Sequence, residues 1–197
     1  VEIVGAFCAG GSDIVGVTLA GQNASITSSS CNSVVVEATD YGAAVTGDVV
    51  LTSDTGSTAT ASNSWTYLAD GEITSVQPFA GQSGTVVTIQ GERLLGGGTG
   101  TPSVTLAGVE AFVQGDYSDI YIVVVCLDPV DSGSGGLGDV VITGSSGAVT
   151  RLVAGFTYSE IQSVEPSSGQ RGTLVTITGI SLLAGGDTVS SVKLTNA

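Results

Sequence analysis

Short runs of β-branched and apolar residues recur along this chain between clusters of Gly, Ser, Thr and Asp. Runs of this length suit the strands of a sheet, whereas helical units would show apolar residues at a 3.6-residue spacing. Four representative runs are TVVTI (85–89), SVTLAG (103–108), IYIVVV (120–125) and DVVIT (139–143). The pattern therefore predicts an all-β chain of antiparallel sandwiches in which helices are scarce.

One block of sequence occurs twice. Residues 73–98 read ITSVQPFAGQSGTVVTIQGERLLGGG, and residues 161–186 read IQSVEPSSGQRGTLVTITGISLLAGG. Pro78 matches Pro166 at an offset of 88 residues (166 minus 78), and the other shared residues keep that offset. Self-similarity at a fixed spacing is typical of tandem structural units.

The same block opens the chain in shortened form, because VEIVGAFCAGG (1–11) aligns with VTIQGERLLGGG after a one-residue adjustment. We therefore predict three units: residues 1–72 without their N-terminal strands, a complete unit at 73–160, and the N-terminal part of a third at 161–197. The later parts of the first two units share VTLAG (17–21 and 104–108), VVV (34–36 and 123–125) and GDVV (47–50 and 138–141).

Equivalent positions of true repeats should occupy equivalent environments. Ile89 and Ile177 form one such pair, and Val104 and Val192 form another. The repeat hypothesis predicts inward-pointing apolar side chains at all four positions.

The repeated pattern resembles a known family of domains. It reads I-x-S-V-x-P, then G-[QS]-x-G-T-x-V-T-I-x-G, then a Leu pair with a Gly run, and finally F-T-Y. This is similar to the IPT/TIG family, and the resemblance implies tandem immunoglobulin-like β-sandwich domains. Members occur in cell-surface receptors, in large extracellular repeat proteins, beside polysaccharide-processing catalytic domains and in some transcription factors. The first unit departs from the pattern, since Phe7 and Cys8 replace its Leu pair.

The connections between the predicted units are short. Only Ser159 and Glu160 separate Tyr158, which closes the second unit, from Ile161, which opens the third. A linker this short restricts independent motion of its neighbours. The connection at 68–72 is somewhat longer, so we expect slightly more bending there.

Charge and composition exclude several functions. The chain carries a formal charge of -14, with four basic residues and no His. A field of that sign repels nucleic acid and anionic lipid surfaces. The run at 120–127 is too short to span a bilayer, which takes roughly 18 to 20 apolar residues. Without His, and with a single Lys, we expect no enzyme activity and no cofactor.

The chain has three cysteines. Cys8 and Cys31 fall in the same unit, and neither has a Cys at its equivalent position in the second unit. We predict a disulfide between them, which implies an oxidising compartment and an extracellular or cell-surface location. Cys126 follows an apolar run and is interpreted as a small buried hydrophobic residue, with an intermolecular bridge as the alternative.

Two kinds of polar site are also predicted. Asn23-Ala24-Ser25 is the only complete N-glycosylation sequon, so Asn23 is a candidate for modification. The Ser- and Thr-rich stretches 27–33 and 52–66 are either O-glycosylation sites or simply hydroxyl-rich exposed strands. Acidic residues such as Asp128 and Asp131 match no complete calcium loop and are interpreted as solvated surface charge, so no metal site is predicted.

These features favour a structural role: a repeat segment of an extracellular stalk or filament, glycosylated, whose partners are neighbouring repeats of the same or identical chains. The alternative is an adhesin or receptor ectodomain that binds a protein or glycan through loops at the sandwich ends, such as 128–137. A noncatalytic spacer beside an enzyme domain is a third possibility.

Chains of this kind can also join by donor-strand exchange, with residues 161–197 of one chain completing the first unit of another. Residues 175–197 correspond to about 1–23, however, so the two fragments duplicate a segment. The sequence therefore favours a window of a longer repeat array over exchange.

Overall fold

The computed structural model describes residues 1–5, 12–128, 136–184 and 187–194. Within these ranges every regular element is a strand, and the predicted fold class, all-β with immunoglobulin-like sandwiches, is confirmed. The chain divides into two compact units, Val1–Asp70 (unit 1) and Gly71–Ala197 (unit 2). The finer division into three units remains a prediction.

Unit 1 is a sandwich of two antiparallel sheets. One sheet has the order β1-β5-β4 and the other β3-β2-β6-β7. The strands are β1 (Glu2–Val4), β2 (Ile14–Leu19), β3 (Gln22–Asn23), β4 (Ser25–Ser29), β5 (Ser33–Glu37), β6 (Val45–Ser53) and β7 (Thr58–Tyr67). Strands β3 and β4 are consecutive but pair with different sheets, so this segment passes from one layer to the other.

Unit 2 contains a continuous eight-stranded sheet with the order β8-β10-β13-β12-β11-β14-β15-β9. Strand β12 pairs with both β11 and β13 and thereby connects the two layers of the sandwich. The strands are β8 (Glu72–Gln77), β9 (Ala80–Gly81), β10 (Val86–Glu92), β11 (Ser103–Leu106), β12 (Val109–Tyr117), β13 (Tyr121–Cys126), β14 (Gly136–Thr143) and β15 (Val149–Tyr158). A separate pair follows, β16 (Glu160–Glu165) and β17 (Thr176–Ile180).

Alternation along the strands builds a core in each unit. In β13 the buried residues are Ile122, Val124 and Cys126, and the intervening residues are half-buried, because successive side chains point to opposite faces. The core of unit 1 consists of Ile14, Val17, Leu19, Val34, Val36, Val49, Leu51 and Tyr67. The core of unit 2 includes Val87, Ile89, Leu94, Val104, Leu106, Ile122, Val124, Val140, Ile142, Phe156 and Tyr158.

The repeated VTLAG motif forms the same turn in both units. In unit 1, Ala20 and Gly21 join β2 to β3 with φ of 47° and 84°; in unit 2, Ala107 and Gly108 join β11 to β12 with φ of 49° and 82°. Positive φ at both central residues is the geometry of a two-residue hairpin turn that suits the twist of the strands. The repeated sequence therefore adopts the same backbone conformation in both units.

The repeated GDVV motif has a structural role at each of its first two positions. A Cβ on Gly138 would lie 2.6 Å from Ala107 Cα, so only Gly allows β14 to approach that turn. The next residue, Asp139, accepts a hydrogen bond from Ala154 N at 2.8 Å, where β15 departs from regular register with φ of 53°. Unit 1 repeats this contact, since Asn63 N donates to Asp48 at 2.9 Å.

Strands β16 and β17 pair with each other as β8 and β10 do, but among the described residues they form a separate two-stranded sheet. Val164 pairs with Ile177 as Val76 pairs with Ile89, so Ile89 and Ile177 are equivalent in register. The second predicted pair is wrong, because Val104 is 2% exposed whereas Val192 is 62% exposed. The reason is physical: β11 is covered through β12 and β14, and within the described residues no strand follows β17.

Candidate interaction surface

Among the described residues the two sheets of unit 1 end in four strands, β1 and β4 in one sheet and β3 and β7 in the other. Strand β1 is the last strand of the three-stranded sheet, and β7 is the last strand of the four-stranded sheet. Their counterparts in unit 2 are both covered: β8 pairs with β10, and β9 pairs in parallel with β15. We call the outer edges of β1 and β7 together the open edge of unit 1.

Pairing registers establish that β1 is the counterpart of β10. Ile3 lies opposite Val34 in β5, and Ile89 lies opposite Ile122 in β13. The residue that follows each strand makes the same contact as well. Gly5 N donates to Asn32 O at 2.9 Å, and Gly91 N donates to Ile120 O at 3.0 Å.

The edge of β15 shows how its counterpart β7 would be covered. Thr157 N donates to Phe79 O at 2.9 Å, and Ser159 N donates to Gly81 O at 2.7 Å. These bonds hold the segment around β9 beside the end of β15. In unit 1 the corresponding end of β7, at Thr66 and Tyr67, has no such strand beside it within the described residues.

Three aromatic residues cluster at this end of unit 1. The Tyr67 ring stacks on Tyr41 with a centroid separation of 5.3 Å and meets Trp65 edge-on at 5.6 Å. Within the described part of the chain, the Tyr67 hydroxyl and Trp65 Nε1 are buried without a hydrogen-bond partner. Buried polar atoms in folded proteins are normally paired with protein groups or with ordered water.

In the equivalent aromatic pair of unit 2, the tyrosine hydroxyl has a hydrogen-bond partner. Phe156 meets Tyr158 edge-on at 5.3 Å, and the Tyr158 hydroxyl donates to Leu127 O at 3.4 Å. Burial, together with the nearby Cys126 and Asp128, raises the pKa of Tyr158 above its usual range. The phenol therefore stays protonated and acts as a donor in the core.

Several apolar side chains of residues 160–194 are exposed, although their repeat equivalents in residues 73–160 are buried. Ile161 is 60% exposed, whereas its equivalent Ile73 is 5% exposed. The same contrast holds for Leu194, at 74%, and its equivalent Leu106, at 0%. Ile73 and Leu106 lie in the core of the eight-stranded sheet, whereas among the described residues only β17 pairs with the strand that contains Ile161.

The connection between β15 and β16 makes hydrogen bonds to residues that precede it and to residues that follow it. Strand β15 ends at Tyr158 and β16 begins at Glu160, so Ser159 is the single connecting residue. Its backbone N–H donates to Gly81 O at 2.7 Å, and its hydroxyl donates to Ser181 O at 2.7 Å. Ser159 therefore bonds to the second predicted unit and to the third.

The cysteines occupy different environments. Cys31 is disulfide-bonded, whereas Cys8, its predicted partner, lies outside the described residues, so that pairing remains a prediction. Cys126 is a free thiol that is buried in the core of unit 2. Burial raises the pKa of its thiol, which favours the neutral form, and its place in the core agrees with its interpretation as a small hydrophobic residue.

The predicted glycosylation site lies on the surface. Asn23 is the last residue of β3 and is exposed, and its backbone oxygen accepts a hydrogen bond from Thr39 Oγ1 at 3.0 Å. The side chain is thus accessible, and its modification remains a prediction. The hydroxyl-rich strand β7 is exposed on both faces from Thr58 to Ser64.

Chemistry that requires clustered ligands finds no support in the described residues. No group of three or more His, Cys, Asp or Glu side chains there is placed to hold a metal ion. Asp128 is exposed, and Asp131 and most of the loop at 128–137 lie outside the described ranges. Nor do the described residues include a helix suited to crossing a membrane.

Comparison with known proteins gives the following matches. The extracellular region of plexin A4 aligns with a TM-score of 0.47 and 22% identity, over 83% of this chain and 15% of that one. An auxiliary nutrient binding protein from Bacteroides ovatus aligns with a TM-score of 0.34 and 24% identity, over 48% and 21%. SGBP-B from a xyloglucan utilization locus of Bacteroides uniformis aligns with a TM-score of 0.34 and 14% identity, over 83% and 49%. This chain spans less than half the length of each.

No curated protein matches the chain. The family model described as the IPT/TIG domain matches residues 72–158, which run from the start of β8 to the end of β15. The match thus covers the whole of the eight-stranded sandwich and includes the sequence pattern on which the resemblance was based. Residues 72–158 of this chain are therefore an IPT/TIG domain.

Proposed function

We propose that the chain is a structural segment of an extracellular stalk or filament, in which immunoglobulin-like units follow one another through short junctions. The observation that carries this proposal is the junction at Ser159. A single residue separates the last strand of the IPT/TIG domain from the next strand, and its hydrogen bonds reach both sides. A connection of this kind transmits orientation from one unit to the next.

The repeated local geometry supports the same role. The Ala-Gly turn, the Asp-anchored irregularity and the register of the first two strands recur at equivalent positions. Similar units that follow one another through short connections form an extended array. The proposal requires no ligand, cofactor or catalytic group.

Location outside the cell is proposed on the disulfide and the charge. Disulfides persist in oxidising compartments, and Cys31 is disulfide-bonded. A net charge of -14 keeps long assemblies soluble and opposes binding to nucleic acid. Covalent sugars on Asn23 and on the exposed hydroxyls of β7 would add a hydrated layer to this surface.

The test is a comparison of particle shape and stiffness. Small-angle scattering and negative-stain images of the chain should show elongated particles. Inserting Gly-Ser-Gly-Ser after Ser159 should broaden the distribution of intramolecular distances, because the junction then flexes. The matched control is the same insertion after Gly56, at the exposed tip of the β6–β7 hairpin, which should change nothing. Compact particles, or equal effects of both insertions, would refute the proposal.

A second candidate function is binding of a glycan or protein at the end of unit 1. It is favoured by Tyr41, which is 38% exposed and stacks on Tyr67, since an exposed aromatic face is a common platform for sugar rings. A glycan-array signal that is lost in Tyr41→Ala, and kept when the exposed Phe79 of the IPT/TIG domain is replaced by Ala, would support this function.

A further inference from the structure

We propose that the outer face of β7 is a site of O-glycosylation, with sugars carried by the hydroxyls of Thr58 and Thr60. The proposal rests on the proposed function, which places the chain outside the cell, and it names the residues that carry the sugars. Thr and Ser hydroxyls are the acceptors of O-linked sugars in hydroxyl-rich extracellular segments. No residue of β7, from Thr58 to Tyr67, is charged.

The two threonines lie on the outer face of the four-stranded sheet of unit 1. Thr58 pairs with Thr52, and Thr60 pairs with Val50. Leu51, which lies between those two partners in β6, is 4% exposed and belongs to the core. Successive side chains on a strand point to opposite faces, and directly paired residues share a face. The two threonine side chains, about 7 Å apart along the strand, therefore point away from the core.

The hydroxyls of Thr58 and Thr60 are available for modification. Both residues are exposed, and within the described part of the chain neither hydroxyl has a hydrogen-bond partner. The hydroxyl of Thr66, near the end of the same strand, bonds instead to the hydroxyl of Thr46 at 2.8 Å. Strand β7 thus carries two free hydroxyls and an engaged one.

The outer edge of this stretch is also uncovered in the IPT/TIG domain. There β9 pairs only with Thr157 and Tyr158, at the end of β15. The pairing registers show that Val149 and Arg151 are the equivalents of the two threonines, and among the described residues they pair only with β14. An extended segment with one free edge can enter the cleft of a modifying enzyme by main-chain pairing.

The equivalent face of the IPT/TIG domain has different chemistry. In unit 1 a row of paired residues crosses the sheet through Asn23, Thr18, Val50 and Thr60. In the IPT/TIG domain the matching row runs through Glu110, Thr105, Val141 and Arg151. The two inner positions are Thr and Val in both rows, whereas the outer positions are Asn and Thr in one row and Glu and Arg in the other. The fold therefore accepts charge at the position of Thr60, so its hydroxyl is not a structural requirement.

Sugars would supply the hydration that this face lacks. The chain carries a formal charge of -14, yet residues 14–36 and 55–69 contain no charged residue. These ranges include β2, β3 and β7. Uncharged strands with a free edge favour edge-to-edge aggregation, which proteins commonly prevent with charge or Pro. In β15 Arg151 provides a charge, and in β7 a sugar on Thr60 would protect the strand instead.

The modification is a glycosyl transfer to which the chain contributes only an acceptor oxygen. The threonine Oγ1 attacks C1 of a nucleotide-activated sugar, and the new C1–Oγ1 bond replaces the bond between C1 and the phosphate oxygen. The nucleoside diphosphate leaves with that electron pair. The hydroxyl proton passes to a basic group of the cell's glycosyltransferase, so the step needs no catalytic group in this chain.

The experiment is peptide mapping of the whole chain, secreted from a host that has O-glycosyltransferases in its secretory pathway. An Asn23→Gln background removes the predicted N-glycan. Alkali should eliminate each O-linked sugar and leave a dehydrated residue, which is expected at Thr58 and Thr60. The double variant Thr58→Val, Thr60→Val should lose all sugar mass from the peptide that spans 55–69, because Val keeps the β-branched shape without the acceptor oxygen.

The matched control is Thr66→Val, because the hydroxyl of Thr66 is already hydrogen-bonded. It should leave the sugar mass of the peptide unchanged, and cooperative thermal unfolding shows that each variant is folded. Absence of O-linked sugar from this peptide in the parent chain, or sugar mass that the double variant keeps, overturns the proposal. Neither result affects the insertion after Ser159, which tests the filament proposal without reference to sugars.

Discussion

The strongest quantitative prediction compares one substitution at two repeat-equivalent positions, Leu106→Ala and Leu194→Ala. Leu106 lies in β11 and is fully buried, whereas Leu194 is 74% exposed. At Leu106 the lost transfer energy of about three carbon groups is about 2.4 kcal/mol, and the cavity left behind brings the total to about 3–5 kcal/mol. At Leu194 only about a quarter of that transfer energy is available, about 0.6 kcal/mol.

Calorimetry checks this difference directly. A loss of about 3 kcal/mol lowers the unfolding temperature of a domain of this size by at least about 12 °C, whereas Leu194→Ala should shift it by less than about 5 °C. The emission of Trp65, the single tryptophan, reports on unit 1 and should show an unchanged transition in both variants. Equal shifts for the two substitutions would refute the assignment of Leu106 to a covered core and of Leu194 to an uncovered face.

Four further predictions concern other parts of the fold. Gly138→Ala should lower the stability of unit 2 by about 1–3 kcal/mol in denaturant titrations, because the added Cβ overlaps the turn between β11 and β12. The control Gly16→Ala should be neutral, since the atom nearest to the added Cβ would be 3.7 Å away. The hydrogen bond from the backbone of β15 and the nearby Arg151 guanidinium lower the pKa of Asp139, so its stabilisation is complete above the unfolded pKa of about 3.9 and is lost as the pH falls through the lower folded pKa. Asp139→Asn should therefore flatten the acid side of the curve of unfolding temperature against pH. Cys31→Ser should destabilise unit 1 by about 2–5 kcal/mol, seen as an earlier tryptophan transition, and a reductant should have no further effect on that variant. Expression of Asn23→Gln in a glycosylating host should remove the mass of one N-glycan, and an unchanged mass would refute modification there.

Much of the fold was predictable because its determinants are local. The apolar run IYIVVV predicted a strand, and Ile122 and Val124 are buried in β13. The shared VTLAG motif predicted equivalent segments, and both copies form the same turn. The repeated block predicted that Ile89 and Ile177 are equivalent, and the two residues occupy equivalent positions in the strand register. These features depend on side chains and turns within a few residues of one another.

The candidate surface was only partly predictable. The sequence predicted strands in the first unit but not their order, in which β1 and β7 each end a sheet among the described residues. The aromatic cluster of Tyr41, Trp65 and Tyr67 was missed, since its members come from different elements and only their packing leaves two polar atoms unpartnered. The sole available signal was the aromatic-Thr-Tyr motif shared with Phe156 and Tyr158.

The sequence by itself determined the strand content, the repeat, the family resemblance and the acidic, His-free surface, because each follows from residue order and composition. The tertiary structure alone decided which repeated positions are covered. Val104 and Val192 are identical in type and in repeat position, yet only Val104 has neighbouring strands on both sides. Burial depends on the rest of the sheet, so identical residues end in different environments when their partner strands differ.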